Sequence, residues 1–516
     1  MPLHGETYAG SELANLSTLK LMYALVTFFG ISMIILMFYD LDVVQRFSPP
    51  AYRYDEQNLK MLSRLEEYLS KEDLLESDWK ELLELLEMLK MHKKALSKKP
   101  INQTLYREKT SCQPRSHIFF LKMHKAGSST IMNMLFRYGE FHNLTFAFPK
   151  EKYNYMYPEY FSVHNVYGFS SKQLQKFNIM CHHMRFRLTE IEKVMPSDTF
   201  YFTILRNPET LMESSFAYNR RSSSFNSSTS LEDFLNNTSR LYRSHESDSA
   251  YAKNLMTFDL GFNHNGPESL EHSNLLCNVV DAMFDLVLMT EYFDESLVLL
   301  RHALCWTFDD VLSFPLNIRK TTSRHVLSVE TKEKIRTWNQ LDWQLYVYFN
   351  NSFWNRVDKF GRERMESEVR ELRNRRAQVS EKCLYGQVEA SNIKDKSIVP
   401  YQPDSITILG YRLKPELDKG DRFLCHRLVI PEIQYTNLLW VNQIRNKTKT
   451  HMVDKVQKGQ KSVRTNLISA KSIQRKAKKH FKRRMRIAPY QGKNSFLNPY
   501  MAIRKKSRIN TQFPEI

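Results

Sequence analysis

The sequence predicts an α/β fold in which a parallel sheet is flanked by helices. Three segments support this fold, each with a short apolar run rich in β-branched or aromatic residues, then a polar loop, then a helix-like stretch. The apolar runs cover residues 116–123, 199–205 and 284–289. Strands that alternate with helices favour a parallel sheet, and such sheets bind ligands at the carboxyl ends of their strands. The loops after these strands are therefore where we expect a binding site.

The first of these loops has the pattern of an anion-binding site. Strand 116–123 leads into His124, Lys125 and a turn rich in Gly and Ser, before the helix-like stretch 130–138. A glycine lets the backbone approach an anion, the amides at a helix N-terminus point at it, and the lysine adds a charge. The loop is not a Walker A motif, because its lysine precedes the glycine. An ordinary helix N-terminus capped by Ser128 is the alternative interpretation.

The second loop predicts another anion site. Arg206 follows strand 199–205, and Pro208 is expected at the first position of a helix that carries Ser214 in its second turn. A guanidinium and a hydroxyl at this spacing are suited to a phosphate from the neighbouring crevice. Two anion sites at two strand ends predict a nucleotide with two phosphate groups. Taken singly, each residue also has a structural explanation, as a turn arginine and an inert helical serine.

Residues 21–39 are uncharged and apolar. At about 1.5 Å per helical residue they span roughly one hydrocarbon core, which predicts a transmembrane signal anchor after a cytosolic segment at 1–20. A cleaved signal peptide is the alternative, but no small-x-small site follows the run. All six cysteines and seven glycosylation sequons lie beyond the anchor, which favours a lumenal domain with disulfides of unspecified pairing. No cysteine pair has CxxC spacing, so we expect no metal site.

Two further segments frame the predicted catalytic domain at 112–440. The stem, 40–111, includes a Leu-, Glu- and Lys-rich stretch at 57–98 with coiled-coil spacing, so a homodimer and a helix packed on the body both stay open. The last 76 residues, 441–516, hold 21 Lys and Arg against 2 Asp and Glu, which equals the net charge of +19 of the whole chain. This basic tail suits either a salt-sensitive contact with a polyanion or a disordered, solvated extension.

Several separated motifs resemble the Golgi galactose 3-O-sulfotransferase family and occur in the family's order. They are LKMHKAGSSTIMNMLFRYG, CHHMRF, FTILRNPETLMESSF, FDLVLMTEYFDESLVLL, SITILGYRL and LCHRLVIPEIQY. The resemblance runs from about Cys112 to about Trp440 and leaves the stem and the tail outside. The family's first loop typically reads HKTASST, so Ala126-Gly127 is a departure that removes a hydroxyl and is expected to loosen the loop. Asn207 replaces the common Asp, which is a milder change.

The resemblance implies a P-loop NTPase-like sulfotransferase fold and an enzyme without a metal. Its co-substrate would be 3′-phosphoadenosine 5′-phosphosulfate (PAPS), and its acceptor the 3-hydroxyl of a terminal β-galactose on a glycolipid or glycoprotein glycan. It also implies a single-pass type II Golgi membrane protein with a lumenal catalytic domain. The cofactor-binding residues it implies are Lys125 at the bridging oxygen, Gly127, Ser128, Ser129 and Thr130 at the 5′-phosphosulfate, and Arg206 and Ser214 at the 3′-phosphate.

The catalytic base is expected to be a histidine, because the sugar hydroxyl must lose a proton as it attacks. His183 stands where this family and the related uronyl 2-O-sulfotransferases carry their base, and His124 at the mouth of the loop is the competing candidate. The tyrosines at 153, 155, 157 and 160 suit either stacking on a sugar or packing. Alternative functions are a uronyl 2-O-type sulfotransferase, a P-loop kinase or ATPase, and a non-enzymatic polyanion-binding membrane protein. Nucleic acid is not an expected partner.

Overall fold

The computed structural model describes residues 112–444, apart from 152, 171–175 and 404, together with Arg64 and Glu67. The predicted cytosolic segment, the anchor at 21–39, the rest of the stem and the tail beyond 444 lie outside the described residues. Arg64 and Glu67 are helical and exposed. Within the described part, no helix has the length and apolar character that crossing a membrane requires. From 112 onward, every described residue except Ile444 belongs to one compact unit.

The centre of this unit is a four-stranded parallel sheet with the strand order β2-β1-β3-β4. Its strands are β1 (Ile118–Leu121), β2 (Ile179–Met180), β3 (Phe200–Leu205) and β4 (Leu286–Met289). Every residue of these strands is buried, as in a parallel sheet covered on both faces. The predicted α/β fold with a parallel sheet is confirmed. Strand β2 was not predicted, because two residues are too few to show a periodic pattern.

Helices follow three of these strands directly, as predicted. Pro208 is the first residue of the helix after β3, and the Asn207 side chain caps that helix by accepting a hydrogen bond from the Glu209 amide. The helices are α1 (Ser128–Phe141), α2 (Leu188–Ile191), α3 (Pro208–Tyr218), α4 (Leu231–Asn236), α5 (Thr238–Leu241), α6 (Leu255–Asp259), α7 (Leu270–Met283), α8 (Phe293–Leu304), α9 (Phe308–Val311), α10 (Val329–Trp338), α11 (Gln340–Phe360), α12 (Arg362–Cys383), α13 (Lys419–Val429) and α14 (432–444).

The later half of the chain forms a second, antiparallel sheet, which was not predicted. It has the order β5-β7-β6, with β5 (Ile318–Arg319), β6 (Leu384–Glu389) and β7 (Ile408–Leu413). The motif SITILGYRL contains β7. Buried side chains of β6 and β7 join the same apolar core as the parallel sheet, so both sheets stabilise one folded unit.

Two disulfides resolve the pairing that the sequence left open. Cys112 is bonded to Cys305, and Cys383 to Cys425. The first bond ties the segment before β1 to the end of α8, and the second ties α12 to α13. Cys181 and Cys277 are free and buried.

Candidate active site

The candidate site lies where the strands of the parallel sheet end. Lys122 follows β1, Arg206 follows β3 and Thr290 follows β4, while His183 comes three residues after β2. In a parallel sheet these ends share one edge, so residues far apart in sequence meet there. The Thr290 hydroxyl lies 2.9 Å from the carbonyl oxygens of both Ala126 and Leu205, and so links the loops after three strands.

Two histidines from different loops are stacked at this edge. The rings of His124 and His183 are nearly parallel, with centroids 3.9 Å apart. Nδ1 of His183 lies 3.0 Å from the Lys122 carbonyl oxygen, which only accepts hydrogen bonds, so we assign the proton to Nδ1. Nε2 then accepts from the Lys122 ammonium at 2.6 Å. Burial, and then the nearby His124 and Lys122, lower the pKa of His183 well below its ordinary value, so its ring is neutral at pH 7.

His124 is held by a buried carboxylate. Its Nδ1 lies 2.9 Å from both carboxylate oxygens of Asp259, and its backbone amide donates to the same carboxylate at 2.8 Å. Asp259 is fully buried and also accepts from the Tyr157 hydroxyl at 3.0 Å. Because Nδ1 faces a carboxylate, it carries the proton, and the lone pair is on Nε2. Among the described residues, that Nε2 has no hydrogen-bond partner. A histidine general base has this arrangement when a carboxylate orients its ring and stabilises the imidazolium.

The predicted anion-binding loop forms a left-handed turn at the start of α1. Gly127 has φ of 74° and is the N-cap residue, so the alternative in which Ser128 caps the helix is wrong. A glycine adopts this φ without strain. Gly127, which was expected to loosen the loop, is therefore suited to the left-handed conformation that the loop adopts at this position.

The hydroxyls of this loop already have protein partners. Ser128 donates to the Met123 carbonyl at 2.7 Å, and Ser129 donates to the Glu432 carboxylate at 2.7 Å. The Thr130 hydroxyl accepts from the backbone amide of Leu316 at 2.9 Å. Of the first-turn amides of α1, that of Thr130 donates to the Gly127 carbonyl at 3.1 Å, whereas those of Ser128 and Ser129 have no acceptor among the described residues. The capacity of this loop to bind an anion therefore resides mainly in its amides and in Lys125.

Lys125 is a cation in a crowded positive environment. Its ammonium lies 3.5 Å from the centre of the Tyr218 ring. Burial lowers the pKa of Lys125 to about 7, with further contributions from Arg206 and Arg319. An anion bound beside this lysine would relieve the repulsion and restore its charge.

Arg206 supports the same loop from β3. Its Nη1 donates to the Lys125 carbonyl at 2.7 Å, and its Nε donates to the Thr210 hydroxyl at 3.0 Å. Ser214 lies on α3 one turn beyond Thr210, and residues four apart share a helix face. The structure thus brings Arg206 next to Lys125 and puts Ser214 on the helix that follows.

Comparison with known proteins identifies the family of this chain. The profile of the galactose-3-O-sulfotransferase family matches residues 57–443. The chain belongs to this family. The match includes the stem stretch 57–98, which the motif resemblance had left outside, and it ends at 443, three residues into the basic tail.

Curated members of the galactose-3-O-sulfotransferase family match the chain along most of their length. Galactose-3-O-sulfotransferase 2 from Sus scrofa is 43% identical over 341 residues, which cover 65% of this chain and 86% of that protein. Galactosylceramide sulfotransferase from Homo sapiens is 40% identical over 342 residues, covering 64% and 79%. Galactose-3-O-sulfotransferase 4 from Bos taurus is 37% identical over 406 residues, covering 64% and 84%.

Three site residues of this family member escaped the sequence prediction. They are Lys122, Asp259 and Glu432. Lys122 is the first residue after β1, and its place at a strand end was a usable signal. Glu432 lies in the quoted motif LCHRLVIPEIQY, but a lone glutamate there gave no reason to single it out. Asp259 ends α6 in a stretch without any motif, so only the fold reveals it.

The four tyrosines that suited either stacking on a sugar or packing have different environments in this family member. Tyr155 is fully buried in the core, so packing is the correct alternative for this residue. Tyr160 packs against Arg185, with 3.8 Å between the guanidinium and the ring centre, and the Tyr153 hydroxyl accepts from Asn437. Tyr157 alone of the four packs on His124, at 4.6 Å between ring centres. In the described part of the chain, no group of three or more His, Cys, Asp or Glu is suited to a metal ion.

Proposed function

We propose that this protein transfers sulfate from PAPS to the 3-hydroxyl of a terminal β-galactose on a glycolipid or a glycoprotein glycan. One observation carries the proposal beyond family membership. The anion-binding helix N-terminus with Lys125 adjoins the stacked histidines at the same sheet edge. The names of the relatives support a galactose-bearing acceptor.

The residues at the strand ends have the chemistry that this donor requires. The first-turn amides of α1 and the Lys125 ammonium would hold the 5′-phosphosulfate. Arg206 and Ser214 would hold the 3′-phosphate, and Arg206 also fixes the Lys125 carbonyl. Lys125 would stabilise the negative charge that develops on the bridging oxygen as the sulfur–oxygen bond breaks.

A histidine takes the proton of the acceptor hydroxyl as its oxygen bonds to sulfur. We favour His124, because its Nε2 has an available lone pair and Asp259 stabilises the imidazolium that forms. His183, which the sequence favoured as the base, becomes the second candidate. Its Nδ1 is fixed by the Lys122 carbonyl, but its Nε2 accepts from the Lys122 ammonium, which would have to turn away before catalysis.

The setting of the enzyme is part of the proposal. The apolar run at 21–39 supports a single-pass type II anchor in the Golgi membrane, with the catalytic domain in the lumen. The disulfides support an oxidising compartment. The stem is proposed to form a homodimer, and the basic tail to bind a polyanion.

Sulfate transfer to a panel of acceptors tests this function. The full-length protein is given PAPS with labelled sulfate and a set of β-galactosides, and the linkage of the product is determined. We expect 3-O-sulfated galactose. Sulfation of uronic acid residues instead would favour the uronyl 2-O-type alternative. Thermal stabilisation by ATP with magnesium, but not by adenosine 3′,5′-bisphosphate, would contradict the proposal and favour a P-loop kinase.

A further inference from the structure

A carboxylate stands inside the proposed anion-binding site. Glu432 is the first residue of α14, and its side chain is 29% exposed. Its Oε2 accepts from the Ser129 hydroxyl at 2.7 Å and lies 3.2 Å from the Lys122 ammonium. Its Oε1 lies 3.4 Å from the same ammonium. Glu432 therefore contacts both the loop of α1 and the lysine that contacts His183.

The charge of Glu432 argues against a role in binding the donor. Burial opposes its ionisation, but Lys122 and the hydrogen bond from Ser129 outweigh burial and lower the pKa of Glu432. The carboxylate is therefore ionised at neutral pH, and it would repel a phosphosulfate. An ionised carboxylate only accepts hydrogen bonds, and sugar hydroxyls donate them. Among the residues that the structure describes, its Oε1 makes only the long contact with the Lys122 ammonium, so it has lone pairs available for a further donor.

The position of Glu432 suits a hydroxyl adjacent to the one that reacts. The Lys122 ammonium lies 2.6 Å from Nε2 of His183 and 3.2 Å from Oε2 of Glu432, so one ammonium separates the carboxylate from the histidine pair. Neighbouring hydroxyls on a pyranose ring are separated by a single carbon–carbon bond. A sugar whose 3-hydroxyl faces the histidines therefore presents its 2- or 4-hydroxyl within the same small region.

The segment that carries Glu432 is fixed to the body of the protein. Gln443 exchanges two hydrogen bonds with the backbone of Phe146, at 2.8 and 3.0 Å. The Tyr435 hydroxyl donates to Glu140 at 2.7 Å, and Arg427 binds the same carboxylate through two nitrogens at 2.8 and 3.0 Å. These contacts fix the segment that carries Glu432, and Ser129 and Lys122 hold its side chain before any ligand arrives, which lowers the entropic cost of recognition.

We infer that Glu432 recognises the acceptor by accepting a hydrogen bond from the galactose hydroxyl next to the one that is sulfated. The inference rests on the proposed function. It adds a specificity-determining residue, whose role is to distinguish galactosides with both vicinal hydroxyls from those that lack one.

A double-mutant cycle between enzyme and substrate tests this role. The wild-type protein, Glu432→Ala and Glu432→Gln are each assayed with a β-galactoside and with its 2-deoxy and 4-deoxy analogues. In the wild type, we expect loss of the recognised hydroxyl to lower kcat/KM by about 10- to 100-fold, the usual effect of a hydrogen bond to a charged group. In Glu432→Ala, the same deoxy analogue should react within about threefold of the parent galactoside, because the partner is already gone. Glu432→Gln retains an acceptor oxygen and should be intermediate.

Controls separate this role from a structural one. Glu416→Ala removes an exposed carboxylate and should leave every ratio between substrates unchanged. Stabilisation by adenosine 3′,5′-bisphosphate should persist in both Glu432 variants, which shows that they are folded. If both deoxy analogues lose as much activity in Glu432→Ala as in the wild type, Glu432 only positions Lys122 and the inference is wrong. If the wild type sulfates no galactoside at O3, the proposed function itself fails.

Discussion

At the residue scale, the state of each histidine follows from the group that faces its Nδ1. A carboxylate faces Nδ1 of His124, and a backbone carbonyl faces Nδ1 of His183. Both rings are thereby fixed with the lone pair on Nε2, but only the carboxylate adds a charge that stabilises an imidazolium. This difference is the reason to favour His124 over His183 as the catalytic base.

Replacing Asp259 tests the choice between the two histidines. Asp259→Asn keeps the shape of the side chain but removes the charge, and we expect kcat to fall by about a hundredfold or more while the donor KM stays unchanged. Tyr157→Phe removes only one hydrogen bond to Asp259 and should cost less than about tenfold. Steady-state kinetics on a soluble β-galactoside gives both values. Wild-type turnover in Asp259→Asn would transfer the role of base to His183.

Lys125 is expected to make donor binding depend on pH. Its pKa is lowered to about 7, and the cationic form, which is the form proposed to bind the donor, prevails below that pH. As the pH rises from 7 to 8 the protonated fraction falls about fivefold, so the donor KM should rise by up to this factor. Lys125→Arg remains charged over this range and should show a flat profile. The exposed Lys394→Arg is the matched control; a donor KM in the wild type that does not change with pH would contradict the prediction.

At the element scale, the first turn of α1 combines two constraints. The proposed donor site requires free amides there, and the chain must turn sharply between β1 and the helix. The turn places Lys125 at φ 57° and Gly127 at φ 74°, both in the left-handed region. An L side chain such as that of Lys125 is disfavoured there, and the glycine at 127 avoids a second strained residue in the loop.

Replacing Gly127 should affect both stability and donor binding. A Cβ at Gly127 meets only the Phe293 ring and the Thr290 methyl, at 3.5 Å or more, so the cost comes from φ rather than from a clash. We expect Gly127→Ala to lower the free energy of unfolding by about 1 kcal/mol and to raise the donor KM. Gly361→Ala, at φ 97° between α11 and α12, should also lose stability but leave the donor KM unchanged. Thermal unfolding and donor titration measure the two effects; equal donor KM values in both variants would show that the turn does not shape the donor site.

At the scale of the whole molecule, two disulfides hold distant parts of one core together. The Cys112–Cys305 bond joins residues 193 positions apart, and the Cys383–Cys425 bond joins residues 42 positions apart. Longer closed loops restrict the unfolded chain more, so the first bond is expected to contribute more.

Removing each disulfide in turn, by replacing both of its cysteines, tests this ranking. We expect Cys112→Ser with Cys305→Ser to lower the free energy of unfolding by up to about 5 kcal/mol, and Cys383→Ser with Cys425→Ser by up to about 4 kcal/mol. Thermal unfolding with and without a reductant gives the measurement. In the variant that lacks all four disulfide cysteines, the thermal unfolding should not change with the reductant, although Cys181 and Cys277 remain. Sensitivity in that variant would mean that another cysteine pairing contributes.

The prediction from sequence was most successful where a pattern is local. Residues 199–205 were expected as a strand, and β3 covers Phe200–Leu205; the helix after it begins at Pro208 because proline favours a first helical position. Strand β2 and the antiparallel sheet were missed. Two residues carry too little periodicity, and the pairing of β6 with β7 joins segments whose connection has no hairpin signal.

The sequence by itself determined the parallel α/β core, the loop with Lys125 before α1, the strand-end Arg206 and the family to which these motifs point. Each of these depends on neighbours along the chain, so periodicity and motif spacing reveal them. Only the tertiary structure decided that Asp259 orients His124, that Lys122 occupies Nε2 of His183 and that Glu432 faces both Lys122 and Ser129. Those contacts join residues 61 to 310 positions apart, and a sheet edge brings them together without any local signal in the chain.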